Sequence, residues 1–377
     1  MPTVRRTKQI SLGELRALRM RAQCLAPRLP QTALVDVVKA VCGVNAQLLS
    51  AMALSLRARV EDLSIDDVET SRVKDRALVR TWCMRGTMHL LAADDVDWLL
   101  SAIAPTVIRG GWRWLEKRAG LERERAEKVL EEAYKTLKAN GPMTRRELMA
   151  AVAEKHEPEV KAAAAGVVQL NGVLGHVCFG PEHGAQPTYV ALDDWLGRKV
   201  KASAKPDHLK LVRRYLLGYG PAAPRDLAAW WGLALAEAKA AWALLQEELI
   251  ELDVEGQPVW LLASESSPLA DSTRPSHTVR LLPAFDTYLL GYHIRDFAVP
   301  LKYQNRVFHG GEIVPTILVD GCAVGTWRYE QRGTQIRINV TPFSSFTAEV
   351  RDLIAEEAND IGRFFGLGAA LSYTKGG

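Results

Sequence analysis

The sequence has no apolar run that approaches the roughly 20 residues needed to cross a bilayer. Its basic N-terminus, MPTVRRTKQISLGELRALRMRAQ, is followed by no apolar core and no cleavage site, which predicts that there is no signal peptide. The five cysteines are scattered and form no C-x-x-C pair, an arrangement that argues against a zinc site. Separate thiols of this kind are typical of a reducing compartment, and we therefore expect a cytoplasmic protein.

Motifs for nucleotides and metals are also missing. No G-x-G-x-x-G follows a predicted strand, no P-loop motif occurs, and histidines and cysteines do not recur at metal-ligand spacing. The sequence therefore predicts no nucleotide cofactor, no metal and no other cofactor.

The composition is that of an ordinary globular protein with several domains. The 377 residues exceed the roughly 250–300 that one hydrophobic core serves, so two or more domains are expected. Hydrophobic residues make up 48% and charged residues 24%, which argues against disorder. The net charge of +4 is modest, but basic residues recur in clusters along the chain. Each cluster alone is typical of a solvated helix face, whereas their recurrence is compatible with basic groups gathered on one face.

A repeated pattern is the strongest sign of internal organisation. The segment GPMTRREL at 141–148 is echoed by GPAAPRDL at 220–227, 79 positions later. In each copy Gly-Pro ends one helix, and a short polar turn opens the next helix with an acidic residue in its first turn. A longer apolar-periodic helix and two strands follow. This order of three helices and a β-hairpin predicts two consecutive winged-helix units.

The N-terminal third follows the same order, with less regularity. The predicted elements of the three units are helices at 11–22, 31–43, 47–59, 64–74, 122–139, 145–155, 159–172, 206–218, 224–231 and 234–249, and strands at 78–83, 87–91, 173–179, 188–192, 250–254 and 259–262. After a Ser/Pro linker at 264–276, strands are expected at 279–282, 313–318, 323–329 and 335–341, and a closing helix at 346–366.

The predicted fold class is mainly α with small β-hairpins (α+β). We expect three tandem winged-helix units at 1–120, 121–202 and 203–275, and a β-rich C-terminal segment with a closing helix at 276–377. Asp320-Gly321 is a favoured two-residue hairpin turn in that segment.

Three long motifs resemble signatures of a known family, in the expected order. They are RTWCMRGTMHLL at 80–91, LLPAFDTYLLG at 281–291 and VDGCAVGTWR at 319–328. The chain resembles the tandem winged-helix DNA glycosylases of the AlkZ/YcaQ type over nearly its whole length. The resemblance implies excision of bulky or crosslinking N7- and N3-alkylpurines from double-stranded DNA, in some members as self-resistance to a genotoxin. We also expect a monomer that associates with the nucleoid.

The catalytic motif of that family is Gln, an apolar residue, then Gln or Asp, at the start of the third helix of the first unit. The matching segment here is VNAQL at 44–48. The resemblance makes Gln47 the match to the second motif residue, and Asn45 stands at the first, one methylene shorter than Gln. Asn45 has the alternative role of N-cap for helix 47–59, because Asn is a preferred cap. Gln47 has the alternative of a solvated residue in the first turn.

Two amides suit the excision of a base that is already cationic. The carbonyl of an amide orients a water, and its NH₂ group holds sugar or phosphate. An N7- or N3-alkylated purine carries a positive charge and leaves as a neutral base, so it needs no protonation. Because no lysine stands out as a Schiff-base nucleophile, we expect a monofunctional DNA N-glycosylase without lyase chemistry.

DNA contacts are expected mainly with phosphates. The third helices of the second and third units carry one lysine each, Lys161 and Lys239, so they look committed to packing and not to reading bases. A concave surface with basic residues around it is the alternative. The candidate contacts are Arg85 and His89 in the first wing, and the hairpin around Asp320 and Gly321 with Arg328 and Arg332 near its end.

Several alternatives stay open at this point. A lone histidine such as His89 is often a hydrogen-bonded core residue. Asp286 is either a turn former or a carboxylate that supports the site. The hairpin at Asp320 is equally compatible with an ordinary sheet hairpin. At the level of function, the alternatives are a non-catalytic DNA-binding protein or regulator of the same family, and a protein-interaction scaffold.

Overall fold

The computed structural model describes residues 8–102, 105–156, 158–200, 206–266 and 277–374. Most of the linker predicted at 264–276 lies outside these ranges. The chain forms two compact units that do not follow chain order. Unit 1 comprises residues 1–68, 209–230 and 234–377, and unit 2 comprises residues 69–208 and 231–233.

Helices and strands are both abundant in the described part of the chain, which agrees with the α+β prediction. The helices are α1 (Leu12–Ala22), α2 (Leu34–Ala40), α3 (Leu49–Arg57), α4 (Ile65–Glu69), α5 (Val96–Ser101), α6 (Pro105–Arg118), α7 (Arg123–Asn140), α8 (Arg145–Lys155), α9 (Ala164–Val173), α10 (Leu192–Leu196), α11 (His208–Tyr219), α12 (Pro224–Trp231), α13 (Leu235–Ala243), α14 (Thr287–Leu290), α15 (Gln304–Val307) and α16 (Ala348–Phe364).

The strands are β1 (Lys8–Gln9), β2 (Val44–Asn45), β3 (Leu78–Trp82), β4 (Met88–Ala92), β5 (Met143–Thr144), β6 (Val177–Phe179), β7 (Thr188–Ala191), β8 (Leu249–Val254), β9 (Gln257–Leu262), β10 (Val279–Leu282), β11 (Phe308–His309), β12 (Glu312–Ile313), β13 (Thr316–Val319), β14 (Cys322–Arg332), β15 (Gln335–Pro342) and β16 (Gly368–Tyr373).

Helix α1 of unit 1 starts at a capping box formed by residues close together in the sequence. Ser11 caps α1, because its hydroxyl accepts from the Glu14 amide at 3.2 Å and the Glu14 carboxylate accepts from the Ser11 amide at 2.7 Å. This capping box satisfies two backbone donors that a helix start leaves unpaired. The same unit contains a three-stranded sheet in the order β1-β8-β9, in which β1 is parallel to β8.

A five-stranded sheet forms the C-terminal part of unit 1, in the order β10-β13-β14-β15-β16. Its neighbours are antiparallel except for β15 and β16, which are parallel. On β15 the buried side chains of Ile336, Ile338 and Val340 alternate with more exposed ones, so one face of the sheet is apolar. Helix α16 packs against this sheet and buries Ile354 and Ile361.

Unit 2 combines the hairpin β3–β4 with helices α7 to α9 and the strands β5 to β7. A second capping box, between Thr144 and Glu147, starts α8 where the repeated segment predicts a helix. Trp82 of β3 lies 4.6 Å from Phe179 of β6 between ring centroids. Gly172 in α9 has to be glycine, because a Cβ there would lie 2.2 Å from the Trp82 ring.

Several predicted elements differ from the structure at their ends. The strand predicted at 173–179 is wrong in its first half, because α9 continues to Val173 and the strand begins at Val177. The helix predicted at 234–249 ends early, at Ala243, and strand β8 already begins at Leu249. The helix predicted at 47–59 begins only at Leu49.

The winged-helix assignment stays a prediction, as do the boundaries near 120, 202 and 275. The order of three helices and a hairpin recurs in α7 to α9 with β6 and β7, and in α11 to α13 with β8 and β9.

Candidate functional site

The segment that resembles the catalytic motif forms a turn between β2 and α3 in unit 1. Asn45 ends β2, and Gln47 lies in the bend that leads to the helix. The N-cap of α3 is Leu48, whose backbone is extended. No side chain forms a capping hydrogen bond at this position. Asn45 is therefore not the N-cap of this helix, and the capping alternative for Asn45 is wrong.

Asn45 and Gln47 contact each other through two hydrogen bonds. The side-chain oxygen of Asn45 accepts from the backbone N–H of Gln47 at 3.3 Å, and its NH₂ group donates to Gln47 Oε1 at 3.2 Å. Residues two apart on a regular helix point about 200° away from each other. The two amides converge here because the turn is not helical.

The two amides differ in exposure. Asn45 is 6% exposed, whereas Gln47 is exposed to solvent. The contact uses one acceptor site of Gln47 Oε1 and leaves the Gln47 NH₂ group and the second acceptor site available. Gln47 is thus the residue that can reach a substrate or orient a water, and Asn45 is placed to fix the Gln47 side chain.

The far end of α3 is anchored by a buried carboxylate. Arg59, fully buried, donates to both oxygens of Asp286 at 2.8 Å, and Ser55 donates to the same carboxylate at 2.6 Å. Burial lowers the pKa of the Arg59 guanidinium, but the nearby Asp286 outweighs burial and the pKa is raised. Asp286 also caps α14 by accepting from the Tyr288 amide at 2.9 Å. It therefore both forms the turn and holds α3.

A second buried ion cluster joins α3 to the closing helix. Arg57, fully buried, lies 2.9 Å from Glu357 and 2.9 Å from Asp360, both on α16. Arg28 also pairs with Glu357 and Asp360. Burial raises the pKa of the Glu357 carboxyl, but the arginines around it outweigh burial and hold the pKa below its ordinary value.

Sequence reasoning missed these two arginines. Arg57 and Arg59 follow LSAMALSL, an almost wholly apolar stretch at 49–56. A charge in an apolar helix is seldom buried without a partner. Two arginines directly after an apolar stretch therefore indicate buried ion pairs. Nothing local in the sequence identifies Asp286 or Glu357 as the partners.

The first wing, in unit 2, places its two candidate DNA contacts differently. Arg85 is half-buried at the tip of the hairpin, with φ at 56°. His89 is 3% exposed and its Nδ1 lies 2.9 Å from the Thr87 carbonyl. Burial, with the charge of Arg85, lowers the pKa of His89 to about 3. A neutral, buried imidazole favours the core alternative for His89, and leaves Arg85 as the cation at this tip.

Asp320 and Gly321 form the predicted two-residue turn between β13 and β14. Their φ values are 49° and 77°, as a turn matched to the twist of a β-hairpin requires. The Asp320 carboxylate accepts from the Thr278 amide at 2.8 Å. A Cβ on Gly321 would lie 2.6 Å from the Tyr288 hydroxyl and 3.0 Å from Arg16. Because the turn is packed against other parts of unit 1, these contacts favour the alternative of an ordinary sheet hairpin.

Arg328 and Arg332 lie away from that turn, towards the other end of β14. Both are exposed, and Arg332 pairs with Glu330 at 2.9 Å. Arg337 on β15 is opposite Glu330 and is also exposed. Because side chains alternate along a strand, Arg328, Arg332 and Arg337 share the solvent-facing side of this hairpin.

Within the described residues, His, Cys, Asp and Glu side chains form no cluster of three or more that could hold a metal ion. No helix in the described part of the chain has both the length and the apolar character that spanning a membrane requires.

Comparison with known proteins gives consistent matches over nearly the whole chain. The family model described as DNA glycosylase AlkZ-like matches residues 38–364. An interstrand DNA cross-link repair glycosylase of Streptomyces sahachiroi is 30% identical over 366 residues, which cover 93% of this chain and 95% of that protein. The solved structure of the Streptomyces sahachiroi DNA glycosylase AlkZ is similar with a TM-score of 0.79, at 25% identity, covering 97% of this chain and 100% of that one.

Proposed function

Because the chain belongs to the AlkZ-like DNA glycosylase family, we propose that it is a monofunctional glycosylase that excises N7- and N3-alkylated purines from double-stranded DNA. The observation that carries the proposal is the Asn45–Gln47 contact of 3.2 Å in the turn before α3, with Gln47 exposed. An interstrand crosslink is a substrate of the same class, since it joins two alkylated bases. The similarity to a cross-link repair glycosylase supports crosslinks as a further substrate, and with them a role in resistance to genotoxins.

The amide pair suits a base that departs without help. A cationic alkylpurine leaves as a neutral molecule, so the enzyme needs no general acid. Positive charge develops at the sugar in the transition state as the glycosidic bond breaks and its electron pair leaves with the base. A polarised water attacks the anomeric carbon, and the proton that it loses passes to solvent. Gln47 orients that water through its free acceptor site, and its NH₂ group holds the sugar or a phosphate. Neither amide carries a charge, so the activation comes from the lesion, and undamaged purines are left alone.

Duplex binding is assigned to cations on the hairpins, of which Arg328 and Arg332 are exposed and Arg85 is half-buried. Arg85, Arg328 and Arg332 are proposed as phosphate contacts, which fix orientation without reading sequence. His89, Asp320 and Gly321 are assigned to holding the two hairpins in shape. The protein acts as a monomer at the nucleoid, built from three tandem winged-helix units near 1–120, 121–202 and 203–275 and the segment 276–377.

The test is a glycosylase assay on duplex DNA that carries a single N7-methylguanine. Heating with alkali cleaves the strand wherever a base has been removed, and the cleaved strand is measured on a denaturing gel. Wild-type protein should generate abasic sites at the lesion and none in the undamaged duplex. Duplexes with an N3-methyladenine and with a bulky N7 adduct extend the assay to the substrate range.

One observation favours a second candidate function, a non-catalytic DNA-binding protein. The first motif position holds Asn45, which is nearly buried and one methylene shorter than the Gln of the family. Salt-dependent binding to the lesion duplex without abasic-site formation on any adduct would favour this candidate over the enzyme.

A further inference from the structure

Unit 2 contains a basic cleft that the proposed active site does not use. Its volume is about 520 Å³, and it lies where the start of α8, the start of α9 and the strand β7 meet. Its charged lining residues are Arg145, Arg146 and Lys161. We call it the α8–α9 cleft.

The charged side chains among the described residues that line this cleft are all positive. Arg145, Arg146 and Lys161 are all exposed, and none of them has a hydrogen bond or an ion pair within the described residues. No carboxylate is among the described residues that line it. Glu147, which follows Arg146, is held by Thr144 in the capping box at 2.9 Å. The charge of Arg146 helps to lower the pKa of Glu147, but none of the three cations is held in a direct ion pair with a described residue. Three cations around one concave surface attract an anion, and the field is stronger there than over a flat face.

The remaining lining gives the cleft an apolar floor and a polar edge. Met149 and Tyr189 are buried below it, Ala150, Ala164 and Pro187 extend the apolar surface, and Gln186 is exposed at its edge. A free phosphate has only oxygens to offer, whereas a nucleic-acid strand offers phosphates together with apolar sugar faces. The combination of cations and apolar floor therefore fits a sugar–phosphate strand better than an isolated anion.

We propose that the α8–α9 cleft binds the phosphodiester backbone of the DNA duplex, with Arg145, Arg146 and Lys161 each neutralising a phosphate. The inference rests on the proposed function for the identity of the anion as DNA. Backbone contacts of this kind give affinity that is independent of sequence and falls with salt. The cleft thus contributes to holding the duplex and takes no part in breaking the glycosidic bond.

The test compares DNA binding by the triple variant Arg145→Ala, Arg146→Ala and Lys161→Ala with wild type. Fluorescence anisotropy with a short undamaged duplex, repeated over a range of salt, gives the slope of log affinity against log salt. Loss of three phosphate contacts should reduce the magnitude of that slope by about 2.7, at about 0.9 per phosphate. The affinity at low salt should fall at least tenfold, by roughly 1.4 kcal/mol or more.

A matched control removes the same charge from the same unit outside the cleft. Lys128, Lys135 and Lys155 pair with Glu124, Glu131 and Glu132 at 2.6–2.7 Å and are largely exposed. Replacing these three by Ala should leave the salt slope close to that of wild type, because each is already neutralised within the protein. Thermal melting of both triple variants checks that unit 2 stays folded.

The outcomes separate this inference from the proposed function. A slope and an affinity unchanged in the cleft variant would overturn the cleft as a DNA site, and so would an equal loss in the control variant. Single-turnover excision of N7-methylguanine, with both partners far above the Kd, should be as fast in the cleft variant as in wild type. If wild type excises nothing while the cleft variant still loses its salt slope, the proposed catalysis fails and the cleft stands.

Discussion

The side chains of Asn45 and Gln47 form one hydrogen-bonded pair with different roles. The Asn45 side chain binds both the backbone and the side chain of Gln47, so it fixes the turn and the rotamer together. Gln47 then presents the remaining donors and acceptor to solvent. A side chain that is already oriented loses little conformational freedom when it binds a water or a sugar, which is the advantage of a preorganised group.

At Gln47 the expected consequence is a loss of catalysis without a loss of binding. Gln47→Ala removes the group that we propose orients the water, and excision of N7-methylguanine should fall by at least ~10²-fold, as for other positioned catalytic groups. Affinity for the lesion duplex should stay nearly constant, because phosphate contacts dominate binding. Single-turnover rates and anisotropy measure the two quantities. Excision at the wild-type rate by this variant would show that the site lies elsewhere.

For Asn45, lengthening the side chain restores the residue of the family. Asn45→Gln should hold or raise the excision rate, because a Gln keeps the amide that contacts Gln47. Asn45→Ala removes both hydrogen bonds to Gln47 and should lower the rate. The single-turnover assay measures both variants. A lower rate in Asn45→Gln than in Asn45→Ala would contradict a role for the amide, and excision by Asn45→Gln alone would mean that this chain has lost the chemistry.

The burial of His89 makes the stability of the folded protein depend on pH. The unfolded state binds a proton below an ordinary pKa of 6.5, whereas folded His89 stays neutral down to about 3. Stability is therefore full above pH 6.5 and is lost as the pH falls towards 3. Between about pH 7 and about pH 5.5, His89 should lower the free energy of unfolding by about 1.3 kcal/mol.

His89→Gln isolates this contribution, because it keeps a donor for the Thr87 carbonyl and does not titrate. Urea denaturation of wild type and variant at both pH values gives the difference. The variant should lose less stability than wild type on acidification. An identical loss in both proteins would show that folded His89 is protonated like a solvated histidine, contrary to its burial.

At the scale of the elements, helix α3 is held in place by buried ion pairs. It carries the turn with Gln47 at its start, and Arg57 and Arg59 lie at and just beyond its end in two separate buried ion clusters. Charges in such positions stabilise only as complete pairs, because a single buried charge without its partner is strongly unfavourable. These clusters fix the C-terminal end of the helix, whose other end follows the turn with Gln47.

Breaking one of the clusters should therefore cost more than an ordinary core substitution. Arg59→Met leaves Asp286 buried without its cation, and the free energy of unfolding should fall by roughly 3–5 kcal/mol. In the double variant Arg59→Met and Asp286→Leu, the loss should be smaller than the sum of the two single losses by roughly 1–3 kcal/mol. Urea denaturation measures all three variants. Strictly additive losses would show that the pair does not act as a unit.

At the scale of the whole molecule, the chemistry should need nothing but protein, water and DNA. The amide pair supplies no amine for a Schiff base and no metal ligand set. Excision should therefore survive incubation with a chelator, and borohydride should trap no covalent protein–DNA adduct. Both are measured on the N7-methylguanine duplex. A trapped adduct would establish lyase chemistry, and activity abolished by the chelator and restored by a metal would establish a metal enzyme.

Segments that are far apart in the sequence form one compact unit in this protein. Sequence periodicity, which reports only local structure, cannot predict which segments pack together. Residues 1–68 belong to the same compact unit as the C-terminal part from 234 onwards. Strand β16 was not predicted, because GAALSY at 368–373 has little strand signal of its own. It becomes a strand by pairing in parallel with β15, to which α16 connects it in the sequence. Such pairing is a tertiary effect that local preference does not contain.

Local chemistry by itself determined where two of the helices begin and how one hairpin turn is formed. Ser11 with Glu14 and Thr144 with Glu147 form capping boxes within three residues, and Asp320-Gly321 forms its turn from two, so neighbours along the chain suffice. The family could also be recognised from the sequence, because three long motifs occur in the expected order. Only the tertiary structure decided that His89 is buried and neutral, and that Asp286 and Glu357 pair with Arg59 and Arg57. These outcomes depend on groups more than 200 residues apart, or on burial created by packing, and no local pattern encodes either.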